Sequence, residues 1–157
     1  MNLIVAVDEN WAIGKDGDQL AYIRADLKRF KELTDGHAVI LGRKTLATFP
    51  GGRPLKGRRN LILSATPDYA VEGAEVYPSI DLLLSNAPED AFVIGGSSVY
   101  DALVDHCSTA YVTRILASFP ADRWFPDLDK REGWHIAQQS EVMEENGLRF
   151  QYLTYQK

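Results

Sequence analysis

Short apolar runs, each bounded by glycine, proline or charged residues, set the rhythm of the chain. Asn2–Val7, Ala38–Leu41, Asn60–Ser64, Ala91–Ile94 and Ala110–Ile115 are predominantly apolar and carry several β-branched residues. That pattern predicts strands buried on both faces. Glu75-Val76-Tyr77 predicts a shorter strand. Between these runs the apolar period lengthens. Ile23–Asp35 places Ile23, Leu27, Phe30, Leu33 and Thr34 on one helical face, with Arg24, Lys28, Lys31, Glu32 and Asp35 opposite. Ser79 stands as the cap of a helix carrying Leu82, Leu83 and Leu84. A third helical pattern runs through Val99, Leu103 and Val104, with Ser97 at its capping position. Strands alternating with helices require crossover connections, so the chain is expected to be an α/β protein with a central, mostly parallel sheet flanked by helices.

The last stretch differs. Trp134–Ser140 and Leu148–Tyr155 are extended runs around Glu144-Glu145-Asn146-Gly147, and Asn-Gly is a strong signal for a tight hairpin turn. The sheet is expected to finish in an antiparallel C-terminal hairpin. Asp8–Asp18, with Gly14 and Gly17 among polar residues, and Pro50–Pro54 are expected to be loops. No repeat, low-complexity segment or linker divides the chain, which predicts a single domain over residues 1–157.

Composition narrows the classes of function. At 157 residues the chain is long enough to bury a sizeable core, and 45% hydrophobic with 25% charged residues is ordinary for a globular protein. The apolar run at the start ends at Asp8, too short to span a membrane, and without a basic n-region or small-residue cleavage site around it no signal peptide is expected. One cysteine makes no internal disulfide, and three scattered histidines show no metal-ligand spacing. A cytoplasmic, metal-free protein is expected. A net charge of −5 argues against nucleic acid as a partner. Basic residues nevertheless concentrate in Arg24–Lys31 and Arg53–Arg59, which suits a small anionic ligand better than a polyanion.

Several places could carry chemistry. Phe92-Val93-Ile94-Gly95-Gly96-Ser97-Ser98-Val99-Tyr100 runs from a buried strand through two glycines into a helix, leaving backbone N–H groups free for a phosphate; the alternative is a plain Gly-Gly turn. Leu41-Gly42-Arg43-Lys44-Thr45 is a second strand-to-helix edge with two adjacent cations. It lacks the upstream glycine of a P-loop, since Ala38 stands four residues before Gly42, leaving a phosphate-ester site or a solvated Arg-Lys pair. Two such edges suggest a ligand with several phosphates along the carboxyl ends of the strands. Asp26 falls between Phe30 and Leu33 on the apolar side of its helix, where a carboxylate is costly unless paired, put to use, or spent capping the helix. Arg58, before a buried strand, could clamp a carboxylate or be a surface cation, and Thr113 could be an ordinary strand threonine.

Taken in order along almost the whole chain, these motifs resemble the dihydrofolate reductase family. The resemblance rests on Ile13-Gly14; Ala25-Asp26-Leu27-Lys28-Arg29-Phe30-Lys31; Ile40-Leu41-Gly42-Arg43-Lys44-Thr45; Arg53-Pro54-Leu55-Lys56-Gly57-Arg58-Arg59-Asn60; Val93 to Tyr100; and Tyr111-Val112-Thr113. It implies NADPH-dependent reduction of 7,8-dihydrofolate to tetrahydrofolate, by hydride transfer to pterin C6 with protonation of N5. It further implies a monomer open to antifolate inhibitors. Asp26 would hydrogen-bond the pterin, with Thr113 joined to that network. Ile4, Ala6, Leu27, Phe30, Phe49 and Ile94 would line the substrate pocket, and Arg58 would pair with the carboxylate of the glutamate tail. Gly42, Arg43, Lys44, Thr45 and Ser64 would hold the adenosine side of NADPH, with Arg43 and Lys44 near its 2′-phosphate. Gly95, Gly96, Ser97, Ser98 and Val99, beside Ile94, would carry the pyrophosphate. Ala6, Ile13 and Gly14 would approach the nicotinamide ribose.

Two positions depart from the family pattern. Where the family usually has Leu-Pro-Trp before the helix, the chain reads Gln19-Leu20-Ala21-Tyr22; the preferred ungapped count from Asp26 puts Ala21 at the tryptophan position, and a one-residue shift would put Tyr22 there. Position 46 is Leu rather than a bulky aromatic. A related reductase of riboflavin synthesis shares the implied fold and cofactor, but Asp26 on its helix favours folate. A nucleotide-binding module without turnover would explain both phosphate edges and not the acid.

Overall fold

The computed structural model describes all residues from Met1 to Lys157. Its strands are β1 (Asn2–Val7), β2 (Ala12–Lys15), β3 (Asp18–Gln19), β4 (Ala38–Gly42), β5 (Arg59–Leu63), β6 (Ala74–Tyr77), β7 (Phe92–Gly95), β8 (Thr109–Ile115), β9 (Arg123–Trp124), β10 (His135–Gln139), β11 (Met143–Glu145) and β12 (Leu148–Gln156). Its helices are α1 (Arg24–Thr34), α2 (Arg43–Ala47), α3 (Ile80–Asn86) and α4 (Ser97–Leu103). The main sheet runs in the order β10-β12-β8-β1-β7-β4-β5-β6, with β11 also paired to β12. From β8 to β6 every neighbouring pair is parallel; β12 enters antiparallel to β8 and carries β10 and β11 antiparallel to itself.

Alternation along the central strands divides the core into two layers. Leu3, Val5 and Val7 of β1, Ala38 and Ile40 of β4, and Val93 of β7 point to one face, where they meet Leu83 of α3 and Val99 and Leu103 of α4. Ile4, Val39, Leu41 and Phe92 point to the other, with Phe30 and Leu33 of α1 and Leu46 of α2. Both faces are covered, which is why these strands read as continuous apolar runs rather than alternating ones. A leucine at position 46 is fully accommodated, 3% exposed in the second layer.

The C-terminal hairpin forms where the Asn-Gly signal placed it. Glu145 pairs with Leu148, and the two turn residues, Asn146 and Gly147, both take positive φ, as a two-residue hairpin turn demands. The outgoing arm is β11; Trp134–Ser140 instead supplies β10, which pairs with the far half of β12.

The Asp8–Asp18 segment is not a bare loop. Its β2 pairs with β3 on one side and β9 on the other, forming a separate three-stranded sheet. Asp8, fully buried, anchors the start: its carboxylate accepts from the backbone N–H groups of Asn10, Ala12 and Phe119. Gly14 has no room for a side chain, since a Cβ there would lie 2.9 Å from the Asp18 carbonyl oxygen.

Candidate active site

The acid comes from the first turn of α1 and its partner from the middle of β8. Thr113, 2% exposed, donates its hydroxyl proton to Asp26 Oδ1 at 2.5 Å, and Thr113 is itself in register with Ala6 of β1. Burial pushes the Asp26 pKa above its ordinary value; the Thr113 hydroxyl and the Arg29 guanidinium oppose that shift without cancelling it. One hydroxyl stabilises a carboxylate by about 1.5–3 kcal/mol, less than the desolvation of a charge in an apolar wall. Asp26 does not cap α1. The cap residue is Ile23, which has no side-chain acceptor, and the N–H groups of Arg24 and Ala25 are bound by Glu145 instead.

Around the acid, Ile4, Phe30, Phe49 and Ile94 belong to a single apolar cluster, joined by Leu33, Leu55 and Tyr111. Leu27 stands outside it and is exposed, one turn before the Phe30 side of the helix. Tyr100 was not assigned a role from the sequence. It is buried, donates its hydroxyl proton to the Ile4 carbonyl at 2.7 Å, and has its pKa raised by burial and then by the Asp26 charge. Its position, three residues past Ser97 on the first turn of α4, was the available signal.

Arg58 is held by the far end of the same helix. Its Nε donates to Thr34 Oγ1 at 3.2 Å, Nη1 to the Lys56 carbonyl at 2.7 Å and Nη2 to the Lys31 carbonyl at 3.4 Å. A guanidinium has about five N–H donors, so about one remains on each terminal nitrogen, as a two-pronged carboxylate clamp requires. No carboxylate of the chain forms an ion pair with it.

The two glycine edges lie side by side because β4 and β7 are parallel neighbours. α2 starts at Gly42 and α4 at Gly96, and neither start has a side-chain cap, whereas Ser79 caps α3 through Leu82. Ser97 therefore lies inside α4 rather than at its cap. Each glycine lies under a side chain of the other edge: a Cβ on Gly96 would meet Thr45 Oγ1 at 3.1 Å, and one on Gly42 would meet Val99 Cγ2 at 3.2 Å. Side chains at either glycine would fill the cradle where a phosphate chain can meet the main chain. Arg43 and Lys44 are exposed, form no ion pair, and sit at a helix start, where a cation opposes the helix dipole. Ser64 follows the end of β5, beside Gly42, which pairs with Leu63.

Ile13, half-buried, packs against the larger core layer from β2. The loop beyond it is tied to the β9 segment, where the Asp16 N–H donates to Asp122 Oδ2 and the Asp122 N–H to the Gly14 carbonyl, both at 3.0 Å. Tyr22 is 59% exposed and donates its hydroxyl proton to Asp18, while Ala21 packs against Ile23, Ile115 and Phe150.

Fold and site together define an α/β protein with one acid in an apolar pocket, an arginine with a free N–H on each terminal nitrogen, and two glycine edges side by side at the strand ends. The dihydrofolate reductase family model matches residues 1–157. Dihydrofolate reductase of Bacillus subtilis (strain 168) is 37% identical over 161 aligned positions, covering 100% of this chain and 94% of that protein. The Mycobacterium leprae enzyme is 36% identical over 163, covering 100% and 98%. The solved structure of the dihydrofolate reductase from Enterococcus faecalis complexed with NADP(H) and RAB-propyl superposes with a TM-score of 0.87 at 34% identity, over 99% of this chain and 94% of that one. The chain belongs to the dihydrofolate reductase family. Its reaction is the NADPH-dependent reduction of 7,8-dihydrofolate to tetrahydrofolate.

Proposed function

We propose that Asp26 handles the proton of this reaction and that the remaining residues bind and orient around it. The observation that carries the reading is a carboxylate in an apolar pocket with one hydroxyl partner and a raised pKa. When bound, NADPH supplies the hydride for pterin C6. Asp26 hydrogen-bonds the pterin and keeps acidity beside N5, and Thr113 fixes the orientation of its carboxylate. Ile4, Ala6, Leu27, Phe30, Phe49 and Ile94 enclose the rings and exclude water. Arg58 clamps the glutamate carboxylate with its two free N–H groups.

The glycine cradle fits a dinucleotide. Gly95, Gly96, Ser97, Ser98 and Val99 receive the pyrophosphate, while Gly42, Arg43, Lys44, Thr45 and Ser64 take the adenosine side. Ala6, Ile13 and Gly14 approach the nicotinamide ribose. The same pocket accepts antifolates, whose ring nitrogens meet Asp26. The protein acts as a monomer: its exposed large apolar side chains, among them Leu82, Trp124 and Ile136, are scattered over separate elements.

The test is the loss of NADPH absorbance on adding dihydrofolate, set beside NADPH binding alone. Turnover by the wild-type chain and its loss in Asp26→Asn, with NADPH affinity kept, are expected. An Asp26→Asn enzyme with wild-type kcat and pH profile overturns the role of Asp26.

A further inference from the structure

We propose that Glu145, on the hairpin arm β11, is a positioning residue for Asp26, because it supplies the N-terminal cap that α1 lacks. The first N–H groups of a helix need acceptors, and the cap residue ordinarily provides one from its own side chain. Ile23 cannot. It is 3% exposed, packed with Ile115 and Phe150, and its side chain carries no acceptor. Glu145 fills that place from 120 residues away. Its Oε2 accepts from the Arg24 N–H at 2.6 Å and its Oε1 from the Ala25 N–H at 3.1 Å. A carboxylate at a helix start is also favoured by the helix dipole.

Asp26 is the next residue, so Glu145 fixes the turn that carries the acid. The chain enters that turn directly from Tyr22 and the β2–β3 segment, with no other side-chain acceptor at the helix start. Glu145 is itself fixed by the tight Asn146-Gly147 turn and its pairing with Leu148. The sheet edge is thereby coupled to the first turn of α1. Without Glu145 that turn frays, and fraying lets water reach Asp26.

The inference rests on the role given to Asp26 above, and its test reads Asp26 independently of turnover. The groups facing Asp26 are Arg29 on its own helix, Thr113 on β8, Tyr100 on α4 and Tyr152 on β12. None of these four residues is altered in the Glu145 variants. Glu145→Ala is expected to lower the Asp26 pKa, followed by carbon-detected NMR of the labelled carboxyl, toward its ordinary value. Amide exchange in the first turn of α1 should speed up about five-fold, the usual consequence of losing a cap. The kcat for dihydrofolate should fall and its pH midpoint move down, with NADPH affinity unchanged.

Arg24→Pro supplies the control. Proline at the first helical position removes the N–H that Glu145 binds most closely, and Ile23, at φ −116° and ψ 117°, already has the geometry of a residue before proline. In that background Glu145→Ala should have a clearly smaller effect on the Asp26 titration. A pure charge effect of Glu145 would be the same in both backgrounds and would overturn the proposal. So would an Asp26 titration unmoved by Glu145→Ala. Should Glu145→Ala fail to fold, Glu145→Gln keeps one acceptor oxygen and is expected to give the same shifts at smaller size. If Asp26 titrates as expected but Asp26→Asn is fully active, the role of Asp26 fails and the capping does not.

Discussion

A carboxyl that is desolvated on one side and hydrogen-bonded by a single hydroxyl on the other titrates late. For Asp26 this makes turnover and stability fall together as the pH rises. The protonated form persists to higher pH than in an exposed aspartate, so the rate should fall as pH rises through the raised pKa. Stability follows the same sign. A pKa higher in the folded than in the unfolded chain gives a contribution that is present below the unfolded value and lost as pH rises through the folded one. At neutral pH the ionised, half-buried carboxylate is therefore a burden. Asp26→Asn can still accept from Thr113 and carries no charge. It should lower kcat with dihydrofolate by about 10²-fold and raise the melting temperature at pH 7, with the thermal gain shrinking as the pH approaches 4. A mutant no more stable than wild type at pH 7 would contradict this account of burial. Arg58 gives a second prediction at this scale. Arg58→Lys keeps the charge and loses the two-pronged fork, so dihydrofolate affinity should fall by about 1.5–3 kcal/mol. A pterin without the glutamate tail should be indifferent, and an equal loss for both ligands, measured by titration, would remove the clamp.

At the scale of elements, the two short helices α2 and α4 start uncapped and side by side, and the difference between them is charge. α2 opens on Arg43 and Lys44, while the first turn of α4 has no charged residue until Asp101. Replacing Arg43 and Lys44 with Ala should therefore raise the Michaelis constant for NADPH far more than that for NADH. Equal loss with both cofactors would mean that the pair does not read the 2′-phosphate. Much of this arrangement was legible in the sequence. Buried parallel strands announce themselves as largely apolar runs, and a strand ending in glycine before a helix marks each of the two neighbouring strand-to-helix edges. Asp26 was legible because a carboxylate on an apolar helix face conflicts with the pattern around it. What escaped notice depends on distant pairing. β2, β3 and β9 are two to four residues long, and β2 and β9 are held together from opposite halves of the chain, as in the contact of Asp16 with Asp122. The capping of α1 by Glu145 spans 120 residues. Ser97 was misplaced by one position because serine is as acceptable just inside a helix as at its cap, and Gly96 takes the extended cap conformation.

For the molecule as a whole, ligand binding and global unfolding share one equilibrium, and the chain contains its own reporter of it. Cys107, 2% exposed, lies in the larger core layer among residues of β1, β8 and α4, and burial pushes its thiol up to about 11. It is far from the strand ends that form the glycine cradle: it follows the turn after α4, whereas the cradle lies at that helix's start. A buried, protonated thiol does not react until the core opens. Labelling of Cys107 by a thiol reagent should thus track the unfolded population. A ligand that binds only the folded chain stabilises it by RT ln(1 + [L]/Kd), about 2.7 kcal/mol at a hundred-fold excess over Kd. NADPH at that excess should slow Cys107 labelling by about 100-fold and raise the melting temperature by roughly 5–10 °C for a chain of this size. In the Arg43→Ala, Lys44→Ala double mutant, at the same NADPH concentration, both effects should shrink together. With NADH both should stay as in the wild type. Labelling that NADPH leaves unchanged, while the melting temperature rises, would show that Cys107 is reached by local opening around the Val104–His106 turn rather than by unfolding of the whole sheet.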